Sequence, residues 1–484
     1  MGPRAMGIPA TGQPLVVPKI PGRALVFTYR RLSRFFHELA ERTFEGPITY
    51  CSSWPGLEEF DIQNDFYRYY RQPGRASGLS DADYDDIILR SCVTRLLPRE
   101  RAERMVTAMY RVIDELMERT RPDYLLSVMV DNYMTDLLVR VGRRRGVRPL
   151  ALVAGAVDNT IQLTAYGEFN KVRDPGGDEI EAVLRTWLDD DVLITYGRGR
   201  GTYSFWRHLK VFSVWWAKAS FFRTAGVIRR DPLNFRYLMG SLPSRDGQSS
   251  LFGYRCARYF DVDWQDRLAR ASRPALFIPL SYTPEATVSY WLKDPRYIQY
   301  DDFIVQACET LSRSYRVVLK EHPAAVGVRR WHVYPRLKAI PGVIIVPAEV
   351  TARQVMQRID RVLVGAGTAG VEAALRGKRV ATLDRPYYYV DGHYLDLGSA
   401  DRIAELPQAL ESFPFPPSTP EMQARLMRRL LEGMLPGHLL PDERIDTEQN
   451  FVTSSEGLKR YLHQPPDDTG EHRADVTPYA TTRS

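Results

Sequence analysis

The chain has 484 residues, 44% of them hydrophobic and 26% charged, with a net charge of +7 at pH 7. That length exceeds one ordinary core and requires two large domains with appendages, while the balanced composition excludes a fibrous or low-complexity protein. The positive excess favours anionic partners (phosphorylated substrates, acidic glycans, anionic lipid or nucleic acid) without choosing among them.

The first 22 residues read as an arm carrying Pro3, Pro9, Pro14 and Pro18. It lacks the apolar stretch of a secretory signal. An α/β domain is expected over residues 23–270. Its first strand is Ala24 to Tyr29, followed by a helix from Ser33 to Arg42 and a strand at Ile48 to Tyr50. Helices follow at Asp81 to Leu97 and at Arg99 to Arg119, the latter with Met105, Met109, Val112, Ile113 and Leu116 at helical spacing. Next come a strand from Tyr124 to Met129, a helix from Thr135 to Arg145 and a strand from Leu150 to Val153. This alternation predicts a parallel sheet. Residues 178–270 read as a less regular, helical insertion.

A second α/β unit is expected over residues 273–412. Its strands are Ala275 to Ile278, Arg316 to Leu319, Val343 to Val346, Val362 to Val364 and Arg379 to Leu383, with helical stretches between them. That is a doubly wound, Rossmann-like pattern. After the stiff Phe413-Pro414-Phe415-Pro416-Pro417 linker, Thr419 caps a helix that opens on Pro420. Residues 418–463 read as C-terminal helices and 464–484 as a disordered tail. No apolar run of about 18 residues is present, so no transmembrane helix is expected. Cys51, Cys92, Cys256 and Cys308 are scattered without a CxxC pair, as in a reduced cytoplasmic protein.

The chemistry concentrates at strand ends of the second unit, where doubly wound sheets bind ligands. The strand Val362 to Val364 runs into Gly365-Ala366-Gly367-Thr368-Ala369-Gly370 and then a helix carrying Glu372. Glycines admit a phosphate close to the backbone, and N–H groups at a helix start attract it. Glu372 shares a helix face with Thr368 and could accept from ribose hydroxyls. Lys320-Glu321-His322-Pro323 follows the second strand. The proline holds His322 extended, aiming its ring outward where it could stabilise a leaving phosphate. Lys320 joins the donor side, with a structural or solvated role as the competing reading. Glu285, after the first strand, either binds sugar hydroxyls or serves as a first-turn acid. In the first unit Asp131 ends a strand on the equivalent rim. It reads either as a general base or as a turn or helix-cap aspartate. Glu168 is the second candidate base. Arg30 and Arg31, after the first strand, either face an anionic acceptor or are simply solvated.

The segments PLSYTPEATVSYW, VVLKEHPAAVGVRRWHVYPRLKAIPGVIIV and VLVGAGTAGVEAALRGKRVATLDRPYY resemble the carboxyl-terminal half of bacterial capsular polysaccharide biosynthesis proteins. These are GT-B glycosyltransferases similar to capsule Kdo transferases. The resemblance implies two Rossmann-like domains facing across a cleft, an acceptor in the first and a nucleotide-activated sugar (CMP-, UDP- or GDP-linked) in the second. It implies that His322 and Pro323 contact donor phosphate and that Gly367, Thr368 and Glu372 cradle phosphate and ribose. Pro284 and Glu285 match the family's Pro-Glu-Ala segment. Arg379 and Ala381 depart from its more apolar strand. The nucleotide-sugar is a substrate, and neither a resident cofactor nor a metal is expected.

Asp81-Ala82-Asp83 and Asp189-Asp190-Asp191 look like DxD metal motifs but read as structural: the first precedes a helical pattern, where acids favour the dipole, and the second precedes a strand expected from Val192 to Thr195. Residues 198–236 interleave nine Lys and Arg with aromatic residues against one acid, Asp231. Such a segment either lies on an anionic membrane surface or is a buried helix with arginines at its ends. No recognised module supports nucleic-acid binding. The expectation is a cytoplasmic glycosyltransferase, at the inner face of the plasma membrane if that segment touches lipid. It would extend a glycan or lipid-linked glycan of the capsule or another surface polysaccharide. An epimerase or polyol-phosphate transferase on the same scaffold and a non-catalytic nucleotide- or glycan-binding subunit are the rivals.

Overall fold

The structure, a computed structural model, describes residues 17–189, 205–228 and 251–464 apart from 55, 73 and 284. Most of the amino-terminal arm, Asp190 and Asp191, the expected strand from Val192 to Thr195, Pro284 and the tail beyond 464 lie outside the described residues. So do positions 198–204 and 229–236 of the basic, aromatic segment.

The first unit opens with β1 (Ala24–Thr28), α1 (Ser33–Thr43), β2 (Ile48–Ser52) and β3 (Phe60–Asp61). Then come α2 (Ile62–Tyr70), α3 (Asp81–Arg90), α4 (Arg99–Thr120), β4 (Tyr124–Val128) and α5 (Tyr133–Arg144). It continues with β5 (Arg148–Ala154), β6 (Thr160–Leu163), α6 (Gly177–Leu188) and α7 (Phe205–Ile228). A 3-10 segment, Leu251–Tyr259, precedes α8 (Trp264–Ala269), β7 (Ala275–Pro279) and α9 (Ala286–Ser289). The second unit goes on through α10 (Tyr300–Leu311), β8 (Arg316–Lys320), α11 (Val333–Ala339), β9 (Ile344–Val346) and α12 (Ala352–Met356). It closes with β10 (Arg361–Val364), α13 (Ala369–Leu375), β11 (Arg379–Thr382), β12 (Leu395–Asp396) and α14 (Leu406–Ser412). Last are α15 (Pro420–Glu432), β13 (Met434–Pro436) and α16 (Glu448–His463).

Two sheets organise these elements. One has the order β13-β6-β5-β4-β1-β2-β3 and the other β12-β11-β10-β7-β8-β9. In the first, β5, β4, β1, β2 and β3 run parallel, and β6 is antiparallel to both its neighbours. The second is parallel throughout. All five residues of β1 are buried, the signature of a strand covered on both faces. Helix α4 buries Met105, Met109, Val112, Ile113 and Leu116 along the stripe its spacing predicts.

Each sheet reverses strand order once. In the first, β1 leads outward to β2, while β4 lies on its other side. In the second, β7 leads to β8 and β9, while β10 lies on its other side. In doubly wound sheets such switch points, at the carboxyl ends of the strands, are where ligands bind.

The expected helix from Asp81 to Leu97 stops at Arg90. Ser91 is extended, and a 3-10 turn at Thr94–Leu96 follows. Residues 418–463 are not helices alone. Strand β13 pairs with β6, and α16 packs on α1, where Phe35 and Phe451 lie 6.4 Å apart. The chain thus returns from the second sheet to finish the first. Thr419 caps α15 as expected, its hydroxyl accepting from the Met422 N–H at 3.2 Å.

Candidate active site

On the second sheet the ends of β10, β7 and β8 are adjacent, so the glycine turn, Ser281-Tyr282 and His322 share one rim. Two inter-strand steps separate β10 from β8, roughly 10 Å. The glycine turn sits at the switch point: a Cβ on Gly365 would approach Ser281 Oγ at 3.4 Å. Nothing stands within 4 Å of where a Gly367 side chain would project. Gly370 is the opposite case, because its missing Cβ makes room for Tyr388. The Tyr388 hydroxyl then donates to the Gly367 carbonyl at 2.8 Å and holds the turn in shape.

His322 is half-buried, 5.7 Å from the Tyr282 ring. Its Nδ1 accepts from the Ala324 N–H at 3.2 Å. That bond leaves the proton of the neutral ring on Nε2, as a donor. Burial pushes the His322 pKa below the usual value, with Glu321 opposing and Lys320 and Arg329 reinforcing the shift. The ring is therefore neutral at pH 7.

Beneath it lies a buried ionic knot. Glu321 receives Arg329 through two bonds of 2.6 and 3.1 Å, the Tyr334 hydroxyl at 2.7 Å and the His322 N–H at 2.6 Å. Arg329 also donates to the Ser281 carbonyl at 2.6 Å and pairs with Asp301. A fully satisfied buried pair of this kind fixes geometry. It ties the loop after β7 to the loop after β8 and so sets the imidazole's position.

On the first sheet, Tyr29 follows β1 and Asp131 follows β4, on either side of its switch point. The Tyr29 hydroxyl lies 3.4 Å from Asp131 Oδ1 and accepts from Asn132 Nδ2 at 3.2 Å. Asp131 also accepts from Thr135 Oγ1 at 3.2 Å and pairs with the Asn132 amide. The helix-cap role belongs to Asn132, whose side chain takes the Met134 and Thr135 N–H groups. The Asp131 carboxylate is open to solvent yet crowded by protein, and desolvation raises its pKa against the lowering effect of its hydrogen bonds. A carboxylate raised in this way is the better proton acceptor.

Other expected site residues divide. Glu168 is not placed to act as a base. It accepts from the N–H groups of Ala165 and Tyr166 at 3.0 and 2.6 Å and from Thr164 Oγ1 at 2.9 Å, so its oxygens close a tight turn. The Lys320 ammonium is buried and donates to the Glu321 carbonyl at 3.1 Å, within the loop after β8. Glu372 pairs with Arg353 at 2.9 Å, so its carboxylate is shared with an arginine on α12. Glu285 caps α9 through its backbone, and its carboxylate accepts from Thr287 Oγ1 at 2.7 Å. It is open to solvent, and surrounding protein raises its pKa. Pro323, Thr368 and Ala369 lie on the same rim, with Pro323 exposed and the other two half-buried. Arg30 and Arg31 are exposed after β1, Arg30 stacked 5.2 Å over Trp54. Asp83 completes a capping box with Ser80 at the start of α3, the structural reading of that acidic pair. Asp189 ends α6.

The rims meet. Ala286 and Tyr290, just after Glu285, belong to the first unit's core. The Arg90 guanidinium at the end of α3 donates to the carbonyls of Ser289, Leu292 and Lys293 at 3.0, 3.0 and 2.8 Å. A side chain at Gly167, whose φ is +83°, would strike Trp291 Cβ at 2.7 Å. Tyr290 is buried among charges that include Asp136 and Asp131, and burial drives its pKa far up. Tyr29, Tyr290 and Arg329 escaped the sequence reading. Tyr29 was findable as a strand-end residue. Arg329 was not, because its pairing with Glu321 depends on how the intervening loop folds.

Residues 299–410 match the family model described as capsule polysaccharide biosynthesis protein. No curated protein matches the chain. Among solved structures, it is similar to a beta-Kdo 2,7 transferase of Thermosulfurimonas dismutans KpsC at 14% identity, covering 67% of this chain and 80% of that one, TM-score 0.32. The KpsC beta-Kdo 2,4 transferase aligns at 12% identity over 63% and 78%, TM-score 0.30. The UDP-GlcNAc 2-epimerase of Neisseria meningitidis aligns at 12% over 84% and 94%, TM-score 0.26. His322, the glycine turn and Glu372 all fall inside the family match, whereas Glu285 falls before it. The resemblance drawn from the motifs therefore holds over residues 299–410, where the family model matches.

Proposed function

We propose that the protein is a glycosyltransferase of GT-B architecture, moving a sugar from a nucleotide-activated donor to a growing capsule or surface polysaccharide. The observation that carries this reading is that each sheet presents a differently tuned group at the carboxyl end of a strand, Asp131 after β4 and His322 after β8. Asp131 has its pKa raised, and His322, its pKa lowered, carries the proton of its neutral ring on Nε2. The family match over the donor-side domain supports the assignment to polysaccharide synthesis.

In this mechanism Asp131 takes the proton from an acceptor hydroxyl. The hydroxyl oxygen forms the new bond to the anomeric carbon. The bond from that carbon to the donor phosphate breaks, and its electron pair leaves with the phosphate oxygen. His322 donates from Nε2 to that oxygen as charge develops. The open space at Gly367 takes the phosphates, and Glu372, steadied by Arg353, accepts from a ribose hydroxyl. Arg30 and Arg31 face the acceptor. No step requires a metal, and activity is expected to survive a chelator.

The test is incubation with CMP-, UDP-, GDP- and CDP-linked sugars and a capsular oligosaccharide. One donor should release its nucleotide in step with glycan extension. Donor conversion to an epimer without extension would replace this reading with an epimerase. If no nucleotide or nucleotide-sugar raises the melting temperature, the donor site itself is refuted.

A further inference from the structure

Helix α7 is 24 residues long, about 36 Å, and contains no Asp or Glu. Its sequence carries Arg207, Lys210, Lys218 and Arg223 among aromatic and aliphatic residues spread around the helix. A helix apolar all round is normally enclosed by protein or by a bilayer. This one is open: Trp206 and Ile228 are each 75% exposed, Phe221 67% and Trp216 50%. Lys210 and Lys218 are exposed beside them. Yet no described helix is long and apolar enough to cross a membrane.

The amino-terminal end of α7 is anchored. His208 is buried, and Phe205 meets Tyr254 edge-on at 5.2 Å. At Gly253 the 3-10 segment comes so close to both His208 and the Gly327 carbonyl that no side chain would fit. Gly327 lies in the loop that begins with His322 and Pro323. The fixed end of the helix therefore stands beside the donor-side rim.

We propose that α7 lies in the interfacial layer of an anionic lipid bilayer and holds the candidate active site at that surface. Tryptophan side chains favour the headgroup boundary, and cations interleaved with them favour acidic lipid. A second copy of the chain is the weaker occupant. A symmetric pairing sets the same face against itself, and with four cations and no acid on the helix that pairing would be repulsive. The inference does not depend on the reaction catalysed.

The experiment is co-sedimentation of the full chain with vesicles of phosphatidylcholine, with and without about one-third phosphatidylglycerol. Binding should appear with the acidic vesicles and weaken several-fold at high salt. Lys210→Glu with Lys218→Glu should remove the preference for acidic lipid. Trp206→Glu with Trp216→Glu should lower binding at least tenfold. Brominated phosphatidylglycerol should quench tryptophan fluorescence in the wild type, and most of that quenching should disappear in Trp206→Phe with Trp216→Phe. Nucleotide-induced thermal stabilisation should be unchanged in all variants, which separates this inference from the donor-site reading. Absence of vesicle binding by the wild type, or undiminished binding by the Trp206→Glu, Trp216→Glu variant, overturns it. So does a concentration-dependent dimer that the same variant abolishes.

Discussion

At the scale of single residues, environment rather than type separates the acids. Asp131, Glu168 and Glu372 are all carboxylates near strand ends. Glu168 is filled by N–H donors and Glu372 is held by an arginine, whereas Asp131 keeps a raised pKa after β4. Asp131→Asn is therefore expected to lower kcat by roughly 10²–10⁴-fold, with nucleotide-induced stabilisation intact. The raised pKa has a definite sign. A base works only when deprotonated, so activity should climb with pH through a limb lying above the ordinary aspartate value of about 3.9. That limb should vanish from the pH profile of Asp131→Asn. His322 titrates in the other direction, since burial keeps it neutral until the pH falls below its usual value. Losing one hydrogen bond to a charged oxygen costs about 1.5–3 kcal/mol. His322→Ala should therefore weaken nucleotide binding roughly ten- to hundredfold by calorimetry. Glu372→Gln is the sharper ribose test, because it keeps the shape while removing the charge that Arg353 balances.

At the scale of elements, the glycine turn depends on what packs behind it. A methyl at Gly370 would press on the Tyr388 hydroxyl and reach Val364 Cγ2 at 3.0 Å, and Tyr388 is too buried to move aside. Gly370→Ala should cost about 1–3 kcal/mol in denaturant titrations. It should also weaken nucleotide binding, since Tyr388 positions the Gly367 carbonyl. Helix α3 ends where Arg90 turns to the second unit. Arg90 pairs with Asp86 at 2.7 Å while capping three carbonyls, those of Ser289 and Leu292 in buried surroundings. Removing one member of such a set leaves the others desolvated and unmatched. Arg90→Ala should destabilise the protein by about 3–5 kcal/mol, read as a lowered denaturant midpoint. Because it loosens the Glu285–Trp291 segment, it should reduce activity beyond what stability alone explains.

At the scale of the whole molecule, local pattern was enough to reveal two parallel α/β units. Continuous apolar strands, helical stripes and the Thr419–Pro420 cap act over a few residues and need no distant partner. The motifs gathered on the second rim for the same reason: in a parallel sheet every strand delivers its following loop to one edge. What lies between distant segments was not legible. Nothing in the short Met434–Pro436 stretch announces that it will pair with β6, which precedes it by more than 250 residues. The helix-cap reading of Asp131 gave way only because Asn132 took those N–H groups. The fates of Glu168 and Glu372 followed from which donors the folded chain brought to them. Sequence alone thus determined the architecture of each unit and the rim where ligand chemistry would collect, because periodicity and strand polarity are local properties. The tertiary structure decided which acids stay open, which proton His322 carries and how the two units are clamped, because hydrogen-bond partners and desolvation come from residues far apart in the chain.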